Sequence, residues 1–250
     1  MTHGPCAPYD TNMLKRLLVT VLCGFIASTG LAMATTTSQA SAAPACSDVA
    51  AVFARGTAEP AAPLGITGVS FVEALRSQLP GRSLSVTGVN YPASANFNNR
   101  VAFGATVLTG VRATQDKIKS IARTCPRTRI VVGGYSQGAV VAQYAVSPGV
   151  TLPASYGRFA RDVPPPLPAA VARNVAAVVL FATPSTRFLR DAGAPVVRVS
   201  PQYQAKTIRY CIAGDNICNG ARLAGPNALH VLYSVNGDTL NAARKVVGRL

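Results

Sequence analysis

Histidine is nearly missing from this chain: two occur in 250 residues. Charge is also sparse, at 13% of residues, and one-sided, with nine Asp+Glu against 24 Lys+Arg. Each scarcity excludes something. Two histidines and six cysteines with no CxxC pair leave no room for a His-rich metal site or a zinc-finger array. An apolar content of 49% beside so little charge excludes intrinsic disorder. A single apolar run approaches membrane-spanning length, which excludes a polytopic membrane protein. The length suits one domain, or two small ones, with an ample core. The net charge of +15 raises a nucleic-acid or membrane-surface partner as a first suspicion.

The one apolar run lies near the N-terminus. Lys15 and Arg16 form a short basic region, Leu17 to Ala27 is apolar, and Ala40-Ser41-Ala42 is a small-x-small site. This three-part order predicts a secretory signal peptide over 1–42, with Met13 the expected start and the mature domain spanning 43–250. An N-terminal membrane anchor is the competing reading, but Gly24, Ser28, Thr29 and Gly30 interrupt the run. Loss of the leader takes two basic residues, Lys15 and Arg16, and one acid, Asp10, from the +15, leaving +14. It also takes His3, Cys6 and Cys23. One histidine, His230, then remains, with four cysteines: Cys46, Cys125, Cys211 and Cys218. An even cysteine count in an oxidising compartment reads as two disulfides, for which three pairings exist. Cys211 and Cys218 flank a short loop and pair on that ground, which leaves Cys46 with Cys125.

The mature chain alternates strand-like and helix-like segments. Asp48–Ala54, Leu84–Tyr91, Arg129–Val132, Val175–Phe181 and Thr207–Tyr210 read as strands. Val69–Leu79, Val101–Ala122, Gly138–Val146 and Asp238–Val247 read as helices, the last with Asp238 as its expected N-cap. Strands that are apolar throughout are covered on both faces. The expected architecture is therefore a single-domain, three-layer α/β sandwich around a mostly parallel sheet. The segment Val163–Pro168 (VPPPLP) reads as a surface connection. No GxxxxGK loop occurs, and Gly133, Gly134 and Gly138 do not fit GxGxxG.

Gly134-Tyr135-Ser136-Gln137-Gly138 is a GxSxG pattern. Alone it is weak, and an incidental serine in a glycine-rich turn is the competing reading. Its position after a strand and before a helix is the setting a nucleophile elbow requires. A serine nucleophile needs a base, and His230 is the only one left. In this fold type the order is Ser, acid, His, and three carboxylates lie between Ser136 and His230: Asp162, Asp191 and Asp215. Asp162 borders the proline-rich piece, and Asp191 sits in a polar, helix-like stretch. Asp215 lies just past the last strand in the loop Cys211–Cys218, where sites in such sheets assemble. Asp215 is therefore the expected acid. Two N–H donors are expected to bind the oxyanion, one from Gln137 and one from the loop Arg55-Gly56-Thr57, with the Thr57 hydroxyl as a further donor.

These pieces together resemble the cutinase family of α/β-hydrolases, in its actinobacterial, mycobacterium-type branch. The matching segments are CSDVAAVFARGTAEP from Cys46, VNYPAS from Val89, GGYSQG from Gly133 and CIAGDNIC from Cys211, with His230 following. The resemblance covers nearly all of 46–250. It implies a small, lidless serine esterase using Ser136, Asp215 and His230, an oxyanion hole from Thr57 and Gln137, and disulfides Cys46–Cys125 and Cys211–Cys218. It implies no metal and no cofactor, and a lipid or polyester substrate. The chain departs from the pattern at Ala182-Thr183-Pro184, where many relatives carry Gly and an acidic or Asn residue before the proline. The proline-rich insertion falls where relatives have substrate-contacting loops.

The expected protein is a secreted monomer that hydrolyses carboxylic esters through an acyl-enzyme. Its charge suits an anionic membrane or cell-wall surface. An acetyl-polysaccharide esterase and a non-catalytic, cationic envelope-binding protein on the same fold are the alternatives. A nucleic-acid partner is not expected, because the basic residues are scattered without aromatic interleaving or a recognisable module.

Overall fold

The computed structural model describes residues 46–250, so the leader assigned to 1–42 lies outside the described residues. The elements run β1 (Val49–Ala54), α1 (Gly65–Ser77), β2 (Leu84–Gly88), α2 (Arg100–Thr124), β3 (Arg129–Tyr135), α3 (Gln137–Ala145), β4 (Val175–Phe181), α4 (Thr186–Asp191), α5 (Pro201–Gln204), β5 (Thr207–Tyr210) and α6 (Asp238–Val247). Short 3₁₀ turns cover Ala154–Asp162, Ala169–Arg173 and Ala228–Val231.

Every residue of β1 and of β4 is buried, because both faces of the sheet carry helices. Side chains alternate between the two faces with the period of two that a strand imposes. Val49, Ala51 and Phe53 of β1 join Ala177, Val179 and Phe181 of β4 in one core with α1 and α6. Val52 and Ala54 join Val178 and Leu180 in the other, with α2 and α3. The expected three-layer sandwich is observed, and all four strand pairings are parallel.

The strand order is β2-β1-β3-β4-β5. From β1 the chain winds outward to β2, then crosses back to β3 and continues to the other edge. The C-terminal ends of β1 and β3 therefore lie side by side, Ala54 opposite Gly134, where the winding reverses. Loops diverge there and leave a crevice, the usual position of sites in such sheets.

The opposite end of the same two strands is stapled. Cys46, ahead of β1, is bonded to Cys125, the C-cap of α2. Beside it, Thr128 Oγ1 donates to the Ser47 carbonyl at 2.6 Å. The second disulfide is Cys211–Cys218. Both pairings are those expected.

Several local expectations change. β3 continues to Tyr135 rather than stopping at Val132. α1 begins four residues early, because the Glu59 carboxylate accepts from Thr67 N at 2.8 Å and satisfies a first-turn donor. Gly237, with φ +90°, is the N-cap of α6, and Asp238 is its first helical residue. The proline-rich segment packs away from the crevice. Gln115 Nε2 of α2 donates to both Ala145 O, at the far end of α3, and Pro165 O, each at 3.1 Å. Nine residues of α3 separate that point from the end of β3, about 13 Å.

Because Cys46 and Cys125 are 79 residues apart, their bond restricts a long loop of the unfolded chain. Replacing both by serine is expected to cost about 4 kcal/mol in urea-denaturation stability, if chain entropy dominates. A loss under about 1 kcal/mol would mean that the strand pairing alone holds this end.

Candidate active site

A single residue, Ser136, connects β3 to α3. Its backbone sits at φ 52°, ψ −116°, in the region that disfavours a side chain. Neighbouring hydrogen bonds hold it there. Ser136 N donates to Phe181 O of β4 at 3.0 Å. Ser136 O accepts from Ala139 N at 3.0 Å and Val140 N at 3.2 Å, which starts the helix. The flanking glycines are steric requirements. A Cβ on Gly138 would stand 2.0 Å from Ala54 O, and one on Gly134 would stand 2.1 Å from Gly138 O. The helix therefore starts in backbone contact with the end of β1, and the serine hydroxyl projects into the crevice.

The structure brings Ser136, His230 and Asp215 together across 94 and 15 residues of chain. His230 Nε2 lies 2.9 Å from Ser136 Oγ, and His230 Nδ1 lies 2.9 and 3.0 Å from the two Asp215 oxygens. Asp215 is fully buried and His230 is 5% exposed. A buried carboxylate needs donors on its lone pairs. Asp215 has Ile217 N on Oδ1 at 3.0 Å and the Tyr233 hydroxyl on Oδ2 at 2.7 Å, besides the imidazole. With the carboxylate on Nδ1, that nitrogen carries the proton. Nε2 then offers its lone pair to the serine hydroxyl.

Each partner is anchored. The Cys211–Cys218 bond closes the loop that carries Asp215, and Gly214, at φ +92°, turns the chain into it. Asn216 Nδ2 donates to Gly225 O, and Asn227 donates through N to Asn216 Oδ1 and through Nδ2 to Gly214 O. These bonds tie the Asp215 loop to the segment that leads to His230. The Tyr135 hydroxyl donates to His230 O at 2.6 Å, and its ring lies 5.2 Å from the imidazole. Tyr233 O–H also accepts from Ile212 N at 2.8 Å. Burial pushes both phenols well above the usual tyrosine range, so both stay neutral donors.

The two expected oxyanion donors sit at the ends of β1 and β3. Gln137 is the first residue of α3, and Thr57 follows β1. Among the described residues neither backbone N–H has an intramolecular acceptor. Gly56 N is different, being committed to Glu59 Oε2 at 2.7 Å. This selects Thr57 within the Arg55–Thr57 loop. The sequence reading overlooked Glu59. Its carboxylate joins Gly56 N to Thr67 N, so it pins the loop to the first turn of α1, where a negative charge also meets the helix dipole. Arg55 pins the other side, donating to Tyr91 O and Pro92 O, each at 2.9 Å. In a chain with nine acids, one in the loop after the first strand was a signal that went unused. Tyr233 and Tyr135 flank His230 and Ser136 in sequence, but only the fold shows where their hydroxyls go.

The other two carboxylates lie elsewhere. Asp162 is 3.8 Å from Arg112 on α2, and Asp191 accepts from Leu223 N at 3.1 Å.

The family model described as Cutinase matches residues 45–250. The chain is 45% identical over 174 residues to "Probable carboxylesterase Culp7" of Mycobacterium tuberculosis, covering 70% of this chain and 89% of that protein. It is 38% identical over 242 residues to "Carboxylesterase Culp1" of the same species, covering 95% and 98%. Among solved structures it is similar to a Trichoderma reesei cutinase in complex with a phosphonate inhibitor. The TM-score is 0.59 at 34% identity, covering 81% of this chain and 76% of that one.

Two substitutions probe this construction. Gly138→Ala must displace the Ala54 carbonyl and is expected to cost about 3 kcal/mol by urea denaturation. Tyr233→Phe leaves Ile212 N and one carboxylate lone pair unpaired, with an expected loss of about 1–3 kcal/mol. Wild-type stability in either variant would refute the close contacts described.

Proposed function

The chain belongs to the cutinase family and is a carboxylic ester hydrolase, and we propose that it acts through Ser136, His230 and Asp215 by way of an acyl-enzyme. The observation that carries this reading is His230 bridging Ser136 Oγ and a fully buried Asp215, with about 2.9 Å on each side. In this mechanism Ser136 Oγ attacks the ester carbonyl as its proton passes to His230 Nε2. Asp215 holds the imidazole through Nδ1 and stabilises its charged form. The N–H groups of Thr57 and Gln137 bind the tetrahedral oxyanion, and such donors contribute roughly 3 kcal/mol each. His230 then protonates the leaving alcohol. In the second half it takes a proton from water, which releases the acid and restores Ser136. The mechanism uses no metal or cofactor.

A lipid-like acyl substrate is supported by apolar side chains near the histidine and the elbow. Val231, next to His230, is 65% exposed, and Leu232 follows it. Phe97, 61% exposed, lies on the loop whose Ser94 O accepts from Gln137 Nε2. Apolar groups left in water beside a reactive serine suit acyl chains at an interface. Two disulfides suit an oxidising compartment, in keeping with secretion after loss of the leader 1–42. The +14 of the mature chain suits approach to an anionic membrane or wall polymer, with the protein acting as a monomer.

Ser136→Ala is expected to lower hydrolysis of p-nitrophenyl butyrate by three orders of magnitude or more, about the loss seen when a triad nucleophile is removed. Retained activity would assign the chemistry elsewhere. A series of p-nitrophenyl esters should peak above the acetyl ester. A peak at acetyl would shift the substrate to acetylated polysaccharide.

A further inference from the structure

The end of the sheet opposite the candidate active site carries charge of one sign. The strands are parallel, so the residues that lead into β3, β4 and β5 lie together there. Arg129 opens β3, Arg173 lies two residues before β4, and Lys206 immediately precedes β5. α2 and α6 both finish at this end and add Lys119, Arg123 and Arg249. Hydrogen bonds and a groove join the six into a stripe. Arg249 Nη1 donates to Lys206 O at 2.7 Å. Lys206 Nζ donates to Ala172 O at 2.7 Å and Val175 O at 2.9 Å. Arg129 Nη1 donates to Arg173 O at 3.0 Å. Arg173 then lines a groove of about 180 Å³ with Lys119 and Arg123, and no acidic residue borders it.

Backbone carbonyls position these groups but neutralise none of them. Lys119 pairs with Asp116 at 2.7 Å. None of the other five has a carboxylate within ion-pair range among the described residues. The side-chain acids of neighbouring elements are engaged elsewhere. Asp48 accepts from Ser83 N at 2.8 Å and Ser83 Oγ at 2.7 Å, and Glu73 pairs with Arg76. Burial, and then the charge of Arg129, hold the Lys206 ammonium below its ordinary range, so like charges already act on each other here. Arg129 Nε is buried with no partner. Basic residues are spread over the whole chain, and what distinguishes this end is what it lacks. None of the exposed large apolar side chains among the described residues lies in the segments that form the stripe. The most exposed of them, Val235, Val231 and Phe97, lie on the loops around the candidate active site. No aromatic residue lines the groove. The molecule thus has an apolar catalytic end and a hydrated, cationic far end.

We propose that this stripe docks an acidic polysaccharide and so holds the molecule with its crevice turned away from the polymer. The stripe crosses three neighbouring strands, β3 to β5, a span of about 10 Å before the helices on either side are added. That suits a row of anions rather than one. A bilayer surface is gripped by apolar side chains beside the cations, and here those stand at the other end. Single-stranded nucleic acid is gripped by stacking aromatics, which this end does not offer. A hydrated carboxylate polymer asks only for cations in line, and guanidinium groups meet carboxylates through paired N–H donors. The docking is independent of the esterase reading, and only the use of the outward crevice rests on it.

The test measures binding of polygalacturonate by calorimetry. Wild type is compared with Arg123→Gln/Arg173→Gln, which strips two exposed cations from the groove, and with Arg100→Gln/Arg222→Gln, which strips two exposed cations from the catalytic end. The groove variant is expected to weaken binding about tenfold or more, and the other pair to stay within about twofold of wild type. Arg123→Lys/Arg173→Lys keeps the charge and should retain most of the affinity. Wild type saturated with polygalacturonate should hydrolyse p-nitrophenyl butyrate within about twofold of its free rate, because the crevice faces away. Equal losses in the two Gln variants would overturn the proposal in favour of attraction by net charge. No binding to polygalacturonate, beside groove-dependent binding to vesicles of equimolar phosphatidylcholine and phosphatidylglycerol, would overturn it in favour of a membrane. Tighter groove-dependent binding to single-stranded DNA would overturn it in favour of nucleic acid. Strong inhibition of butyrate hydrolysis by the polymer would overturn the outward orientation. Wild type inactive on butyrate without polymer would reject the esterase reading, and the binding comparison would still decide the docking.

Discussion

The structure depends on one close approach, that of the first turn of α3 to the end of β1. Gly138 rests against the Ala54 and Arg55 carbonyls with no space for a methyl group. That contact fixes where the helix starts, so the connection from β3 is one residue long. A one-residue connection can be made only by a backbone in the positive-φ region, and Ser136 accepts it. Strain of this kind persists where the surroundings over-determine it. Here the Phe181 carbonyl, the first turn of α3 and the core beneath do so. The Ser136 hydroxyl is placed by packing that was completed around its neighbours.

The same approach ties the two candidate oxyanion donors together. Thr57 follows β1 and Gln137 opens α3, and the contact between β1 and α3 sets the spacing of their N–H groups. Around this centre lies an outer set of restraints. Glu59 and Arg55 hold the loop after β1 from two sides. Tyr135, Tyr233 and the Cys211–Cys218 bond hold His230 and Asp215. None of these five elements needs to touch a substrate. Their work is to keep short-range geometry fixed in loops that would otherwise be mobile, which is what preorganised catalysis demands.

Charge has two separate uses in this molecule. Inside, acids are few and each is committed: Asp215 to the imidazole, Glu59 to two backbone donors. Outside, the excess of arginine confers a diffuse positive field.

By itself the sequence determined the parallel α/β sandwich, because strands such as Val175–Phe181 are apolar on both faces and can only be buried between helices. It determined the elbow, because glycine on both sides of a serine between strand and helix has a steric reason. It pointed to His230 as the candidate base, because loss of the expected leader leaves no other histidine, and to Asp215 and the two disulfides by order and spacing. The tertiary structure decided the rest. It decided that Thr57, not Gly56, keeps a free N–H, because a carboxylate three residues on captures its neighbour. It moved the proline-rich segment away from the crevice, because α3 carries the chain to the far end of the sheet before that segment begins. Local pattern records which faces a segment must bury. Which distant loops those faces bring together depends on the order of the strands, and no single segment carries that information.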